Sequence, residues 1–267
     1  MNPHFKRTSL LICLVACTSL SHAEEGELQD MSNPLAVYST AGIGVTDKGV
    51  NVKLGQSYDV GKPGHGGMNI LEIKGIGGDA LGFRDSSVDQ FSNVDDSIDS
   101  VRFRNFNVDF TKMRGRQIDV NYDVATDSFN TSYSVIQGAP AMGKLKLYPL
   151  AGLGLNITNE VDVDPDTGNE TKQGYKIPGT FAMVGMYSTL QITDNIWFNY
   201  NPMYMLSLSG SDIYTKHGFS GDSDVLNHEA ALSYQINPRT NIRYFSNWSD
   251  KVSFSDGDHR IEINYQF

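Results

Sequence analysis

The sequence predicts an all-β fold: an antiparallel transmembrane β-barrel of about twelve strands, preceded by an N-terminal signal peptide. Three observations predict it. Apolar and polar residues alternate with period two along the chain, while helical periodicity is nearly absent. The connections between alternating stretches sort by parity, with the long ones all on one side. The chain stops on a two-faced strand, in which Ile261, Ile263, Tyr265 and Phe267 share one face and Arg260, Glu262, Asn264 and Gln266 the other. A free edge of that kind templates aggregation in water, whereas a strand that closes a membrane barrel has no free edge.

The leader comes first. Lys6 and Arg7 form a basic start, Thr8 to Leu20 is an apolar run too short to span a bilayer as a helix, and Ser21-His22-Ala23 supplies small residues for cleavage before Glu24. This divides the chain into a signal peptide, 1–23, and a barrel, 24–267. Leu14-Val15-Ala16-Cys17 also resembles a bacterial lipobox, which would make Cys17 an acylated first residue. Cys13 and Cys17 are the two cysteines of the chain, so the barrel itself offers no disulfide, zinc site or cysteine nucleophile. Losing Lys6 and Arg7 takes the net charge from −10 to −12, which disfavours nucleic-acid binding. Mean hydropathy is negative, as a barrel allows when only alternate residues face lipid.

The predicted strands are Leu35–Val45, Gly49–Val60, Met68–Gly77, Val101–Lys112, Arg116–Ala125, Phe129–Gly138, Lys144–Ile157, Lys176–Ile192, Asn195–Leu208, Val225–Ile236, Asn241–Ser249 and His259–Phe267. Alternation is clean in the fifth, where Ile118, Val120, Tyr122 and Val124 interleave with Gln117, Asp119, Asn121 and Asp123. In the fourth it slips: Val101 and Phe103 share one parity, Phe106, Val108 and Phe110 the other, and a β-bulge near Asn105 would reconcile them. The eighth is apolar on both faces around Phe181–Val184. Gly42, Gly44, Gly152 and Gly154 read as small strand residues permitting close packing.

The terminal strand resembles that of Gram-negative outer-membrane β-barrel proteins, porin-like ones included, where a C-terminal Phe after alternating apolar residues is the assembly signal. The resemblance implies an outer-membrane location, recognition of Phe267 by the barrel-assembly machinery, and contact with lipid and lipopolysaccharide. It also implies short periplasmic turns and longer external loops, as the parity of the connections has it. Outward-facing Phe198, Tyr200, Tyr204, Tyr244 and Trp248 suit the membrane interface.

The polar parity then faces the lumen. Its charged members include Lys53, Lys74, Arg102, Arg104, Asp119, Asp123, Lys146, Arg243, Arg260 and Glu262, together with Asp59, Glu72, Asp109, Lys144 and Glu229. Eight basic residues against seven acidic predict a porin-like passive channel for small hydrophilic solutes with weak charge selectivity. The alternative is a closed structural or surface-interaction barrel, with Arg102, Arg104, Arg260 or Lys146 locked to lumen carboxylates. Arg102 and Arg104 are candidates to pair with Asp123. The acidic external loops would then contact cations, lipopolysaccharide or a partner. In one of them Asp162, Asp164 and Asp166, followed by Gly168, could wrap Ca²⁺, though they also read as a solvated acidic loop. No cofactor is otherwise implied.

Enzymatic readings find little purchase. Barrel phospholipases and deacylases carry a His-x-Ser pair, and none of His65, His217, His228 or His259 has Ser two residues on. Asp258-His259 near Asp95-Asp96 loosely resembles the omptin-like proteases, without their spacing.

Overall fold

The computed structural model describes residues 28–78, 80–81, 98–163 and 170–267, with backbone only at 161–163 and 170–172. The expected leader lies outside them. The described residues form one sheet of thirteen strands: β1 (Thr40–Thr46), β2 (Gly49–Tyr58), β3 (His65–Ile76), β4 (Ser100–Asp109), β5 (Arg114–Asp123), β6 (Ser128–Gln137), β7 (Leu145–Val163), β8 (Glu170–Gln191), β9 (Ile196–Tyr200), β10 (Met203–Gly210), β11 (Asp224–Asn237), β12 (Thr240–Ser249) and β13 (Asp258–Gln266). Every neighbour is antiparallel, and β13 pairs with β1, from Thr40↔Gln266 to Thr46↔Arg260, so the sheet closes on itself.

The barrel has twelve staves because β9 and β10 lie end to end between β8 and β11. Pro202 separates them, since it has no N–H to donate to a ladder. The Asn201 side chain fills the gap: its Oδ1 accepts from the Ser188 N–H at 3.1 Å and its Nδ2 donates to Glu229 Oε1 at 2.7 Å. The other expected strands match the observed ones to within a few residues, apart from the ends of β7 and β8, which run further into their connecting loop.

The first strand is the exception at its start. The alternation around Leu35 predicts strand, but β1 begins at Thr40 and residues 28–39 turn into the barrel. Local chemistry explains the turn. Asp30 Oδ1 accepts from the Ser32 N–H and Asn33 Oδ1 from the Leu35 N–H, two side-chain caps that compete with a ladder. Pro34 then denies the segment a further donor. Inside, Leu35 packs on Val108, Ile136, Tyr148 and Leu150. Thr189 Oγ1 donates to the Ser32 carbonyl and Tyr148 OH to Asn33 Oδ1.

This inward segment also accounts for the phase slip in the fourth predicted strand. No bulge occurs at Asn105: the registers β3–β4 and β4–β5 run unbroken through it. Arg102, Arg104, Phe106 and Val108 all border the lumen. Val108 is apolar because Leu35 packs on it, and the Phe106 ring lies under the Arg104 guanidinium, 5.7 Å from it. The two-faced apolar stretch of β8 is also covered inside, Phe181 by Phe219 and Met183 by the clusters of both Leu35 and Phe219. Phe181 and Met183 point inward and Val184 outward, where it is exposed.

Gly154 makes room for this packing. It sits opposite Phe181 on the neighbouring stave, and a Cβ there would overlap the Phe181 ring and lie 2.6 Å from the Thr131 carbonyl. Gly154→Ala is therefore expected to cost about 1–3 kcal/mol, as overpacking does. Urea unfolding in lipid vesicles would read this as a lower midpoint, and an unchanged midpoint would show that Phe181 does not lie over Gly154.

Candidate functional site

The lumen gathers most of the charged side chains predicted to line it, in an order set by strand register. Arg243 stands opposite Glu262, Lys53 opposite Glu72, Glu72 opposite Arg102, and Arg104 opposite Asp119. Opposite charges thus alternate across neighbouring staves. The ion pairs follow: Arg102–Asp119 at 2.5 Å with a second bond from Nε at 2.9 Å, Arg104–Glu72 at 2.9 Å, Lys53–Glu262 at 2.5 Å and Arg260–Glu262 at 3.6 Å.

The Lys53–Glu262 pair reaches across an intervening stave. Between β2 and β13 stands β1, whose Gly42 lies beside both Lys53 and Asn264. A Cβ at Gly42 would come within 3.1 Å of Lys53 Cε and 2.5 Å of Asn264 Oδ1. Glycine there clears the path of the lysine.

Arg243 differs from the rest. Its Nε donates to Ser233 Oγ and its Nη2 to Asn199 Oδ1, each at 2.9 Å. Its guanidinium and that of Arg260 lie 4.5 and 4.3 Å from the Phe245 ring centroid. Among the described residues no carboxylate comes within ion-pair distance of Arg243 or of Lys74.

Together these residues enclose a cavity of about 660 Å³, bordered by Lys53, Lys74, Arg102, Arg104, Asp119, Arg243 and Arg260 on its charged side. Phe181, Met183, Met203 and Met205 border the other side. From the long-loop end, the connection after β10 folds back onto this wall. It carries a short helix, α1 (Asp212–His217), capped by Ser211, and its Phe219 packs on Phe181 and Val225.

Other predicted lumen residues lie elsewhere. Asp123 does not meet Arg102 or Arg104: it stands opposite Ser100 and caps the next turn, accepting from the Thr126 N–H and Oγ1. Lys146 sits at the short-turn mouth, 3.5 Å from Asp30. Asp59, Asp109 and Lys144 belong to that mouth as well, each bonded to a turn beside it. Asp164 and Asp166 lie outside the described residues, and of Asp162 only the backbone, in β7, is described. Asp95 and Asp96 also lie outside them. Both ring nitrogens of His259 are engaged, Nδ1 with the Tyr244 hydroxyl and Nε2 with the Phe254 carbonyl.

The sequence reading missed the N-terminal segment and the methionine wall. The signal for both was present in the broken alternation of the fourth and eighth strands.

The outer surface settles the environment. Ile43, Leu54, Leu71, Phe103, Leu153, Val184, Leu232 and Ile263 are exposed around the barrel. Water would penalise such a belt, and hydrocarbon removes the penalty. Aromatic side chains rim it at the long-loop end, where Tyr200, His228 and Trp248 stack and Tyr244 stacks on His259. Among the described residues no helix is long and apolar enough to cross a membrane; the strands cross it. The architecture is that of a closed, membrane-spanning antiparallel β-barrel. Its short turns gather at one end and its long loops at the other, ends that in an outer-membrane barrel face the periplasm and the exterior. At the long-loop rim Lys251 joins Asp222 at 2.5 Å and Asp250 at 3.5 Å, and the Leu226 N–H, aided by Lys251, holds the Asp250 carboxyl below the usual carboxylate range.

No protein-family model and no curated protein sequence matches the chain. Among solved structures, it is similar to the NanC porin (8% identity, 87% of this chain and 99% of that one, TM-score 0.46). It is also similar to the KdgM porin (11%, 86% and 99%, 0.43) and to the translocator domain of the autotransporter NalP from Neisseria meningitidis (10%, 86% and 87%, 0.48). Such distant likenesses do not bear on what the lumen does.

Removing one partner of the bidentate pair strands the other. Arg102→Ala is expected to cost about 3 kcal/mol, the low end for a buried pair because the arginine keeps 30% exposure. Replacing Arg102 and Asp119 together by Leu should cost clearly less. Equal losses by urea unfolding would show that the pair is not a unit.

Proposed function

We propose that the protein is a porin-like passive channel of restricted bore, which lets small solutes cross the outer membrane without catalysis. The observation that carries this reading is the cavity of about 660 Å³ inside a closed sheet, bordered by charged and amide side chains. A barrel that only fills the membrane needs no such space, since eight strands suffice and are filled by side chains. Two segments restrict the bore: residues 28–39 from the periplasmic side and residues 211–223 from outside. The unpaired Arg243 and Lys74 give the otherwise balanced lumen a slight preference for anions.

The second reading, a closed surface-interaction barrel, has its own support. Arg102, Arg104, Arg260 and Lys146 are each held by a carboxylate. The acidic external loops would then be the functional surface, toward cations, lipopolysaccharide or a partner.

Planar-bilayer recording separates the two. The mature chain is expected to give small, slightly anion-selective steps. Removal of residues 24–38 should enlarge the steps severalfold, because Leu35 and Met31 leave the lumen. Silence from both chains, each folded by the heat-dependent gel shift, would favour the closed barrel.

A further inference from the structure

The apolar belt around the barrel is interrupted on one side. Along β13 it runs to the last residue of the chain, through Ile261, Ile263, Tyr265 and Phe267. Along β4 and β5 it stops early. Phe103 and Ile118 are exposed in it. Toward the short-turn end the same outward parity continues as Asn105, Asn107 and Asp109 on β4 and as Arg116 and Arg114 on β5. Register gathers these residues into two rows, Asn107–Arg116–Val135 and Asp109–Arg114–Gln137.

A cavity of about 500 Å³ opens over these rows on the outside of the barrel. Arg114, Arg116 and Lys62, the last from the turn after β2, line it as exposed cations. Tyr133 and Val135 line it as exposed apolar side chains. Among the described residues Asp109 is the only carboxylate in the lining. It is already engaged: it accepts from the Thr111 N–H and Oγ1 and the Lys112 N–H, and it lies 3.5 Å from His65. Arg114 Nε donates to Gln137 Oε1 at 3.0 Å, which orients the guanidinium without neutralising it. Among the described residues no carboxylate lies within ion-pair distance of Arg114, Arg116 or Lys62.

A cation on the lipid face is costly within hydrocarbon and tolerated near the headgroups. An arginine at the edge of the belt lays its stem on apolar surface while its head reaches the polar layer. A guanidinium fork matches phosphate oxygens. Val135 and then Tyr133 lead along β6 from this edge toward the middle of the belt, the direction an acyl chain takes from its headgroup. A second copy of this chain fits the surface poorly, since a two-fold contact would set these cations against themselves.

We propose that this outward cavity binds an anionic glycerophospholipid. Arg114 and Arg116 hold the phosphate, Lys62 adds to the attraction, and an acyl chain lies along Val135 and Tyr133. The inference needs the barrel to span a membrane and does not depend on whether the lumen conducts.

Native mass spectrometry of the mature barrel, released from an uncharged detergent, tests this. Phosphatidylglycerol is expected to bind about tenfold more tightly than phosphatidylcholine, whose choline the same cations repel. Arg114→Gln combined with Arg116→Gln should cut that preference to below about twofold, whereas Lys216→Gln, at an exposed lysine of α1, should keep it. Glycerol phosphate, which has no acyl chain, should not displace the lipid. The heat-dependent gel shift verifies folding, and Arg116→Gln alone decides if the double variant does not fold. Equal binding of the two lipids would overturn the proposal, as would displacement by glycerol phosphate or a folded double variant that keeps the preference. A dimer of barrels that the double variant dissociates would overturn it in favour of a second copy.

Discussion

Inside hydrocarbon no water can satisfy a free N–H or C=O, so the sheet must close, and everything else in this molecule follows from that closure. The seam is the pairing of β1 with β13. Seven residues of β1 suffice, and the last residue of the chain still takes part, because the Phe267 N–H donates to the Ser39 carbonyl at 3.0 Å. Residues before Ser39 have no place left in the sheet. They turn inward, where twelve staves enclose more space than their own side chains fill.

Two solutions to that space coexist in one lumen. Toward the short-turn end it is filled by apolar packing in which Leu35 takes part. Above, it is lined by charges that register sets side by side, so that most of them find a partner on a neighbouring stave. Gly42 extends this pairing across a stave by withholding a side chain. Arg243, with no carboxylate in ion-pair distance among the described residues, is held instead by Ser233 and Asn199 over Phe245.

Much of the fold was legible because a barrel writes its two faces in alternate residues. Ile261 through Phe267 and Ile118 through Val124 declare inside and outside unambiguously, and connection lengths declare the ends. The reading failed where the inside stopped being polar. Phe106, Val108, Phe181 and Met183 all face the lumen, yet hydrophobicity alone assigns them to lipid. For the last three the reason is tertiary: Leu35 and Phe219, distant in sequence, cover them, and no local period encodes that. Charged lumen residues were legible by parity, whereas their partners were not. Register puts Asn121 opposite Arg102 and leaves Asp119 and Asp123 equally diagonal to it, and side-chain direction, which no local pattern encodes, decides for Asp119.

The account turns on residues 28–39 lying inside the barrel, and an engineered disulfide tests this most directly. The mature sequence has no cysteine of its own if cleavage follows Ala23, so Leu35→Cys with Leu150→Cys introduces a single clean pair. Leu35 and Leu150 belong to one packed cluster. Mild oxidation of the folded barrel should then give a cross-link that survives heating and vanishes with reductant. Two free thiols, both open to a bulky maleimide added from the periplasmic side, would contradict the account.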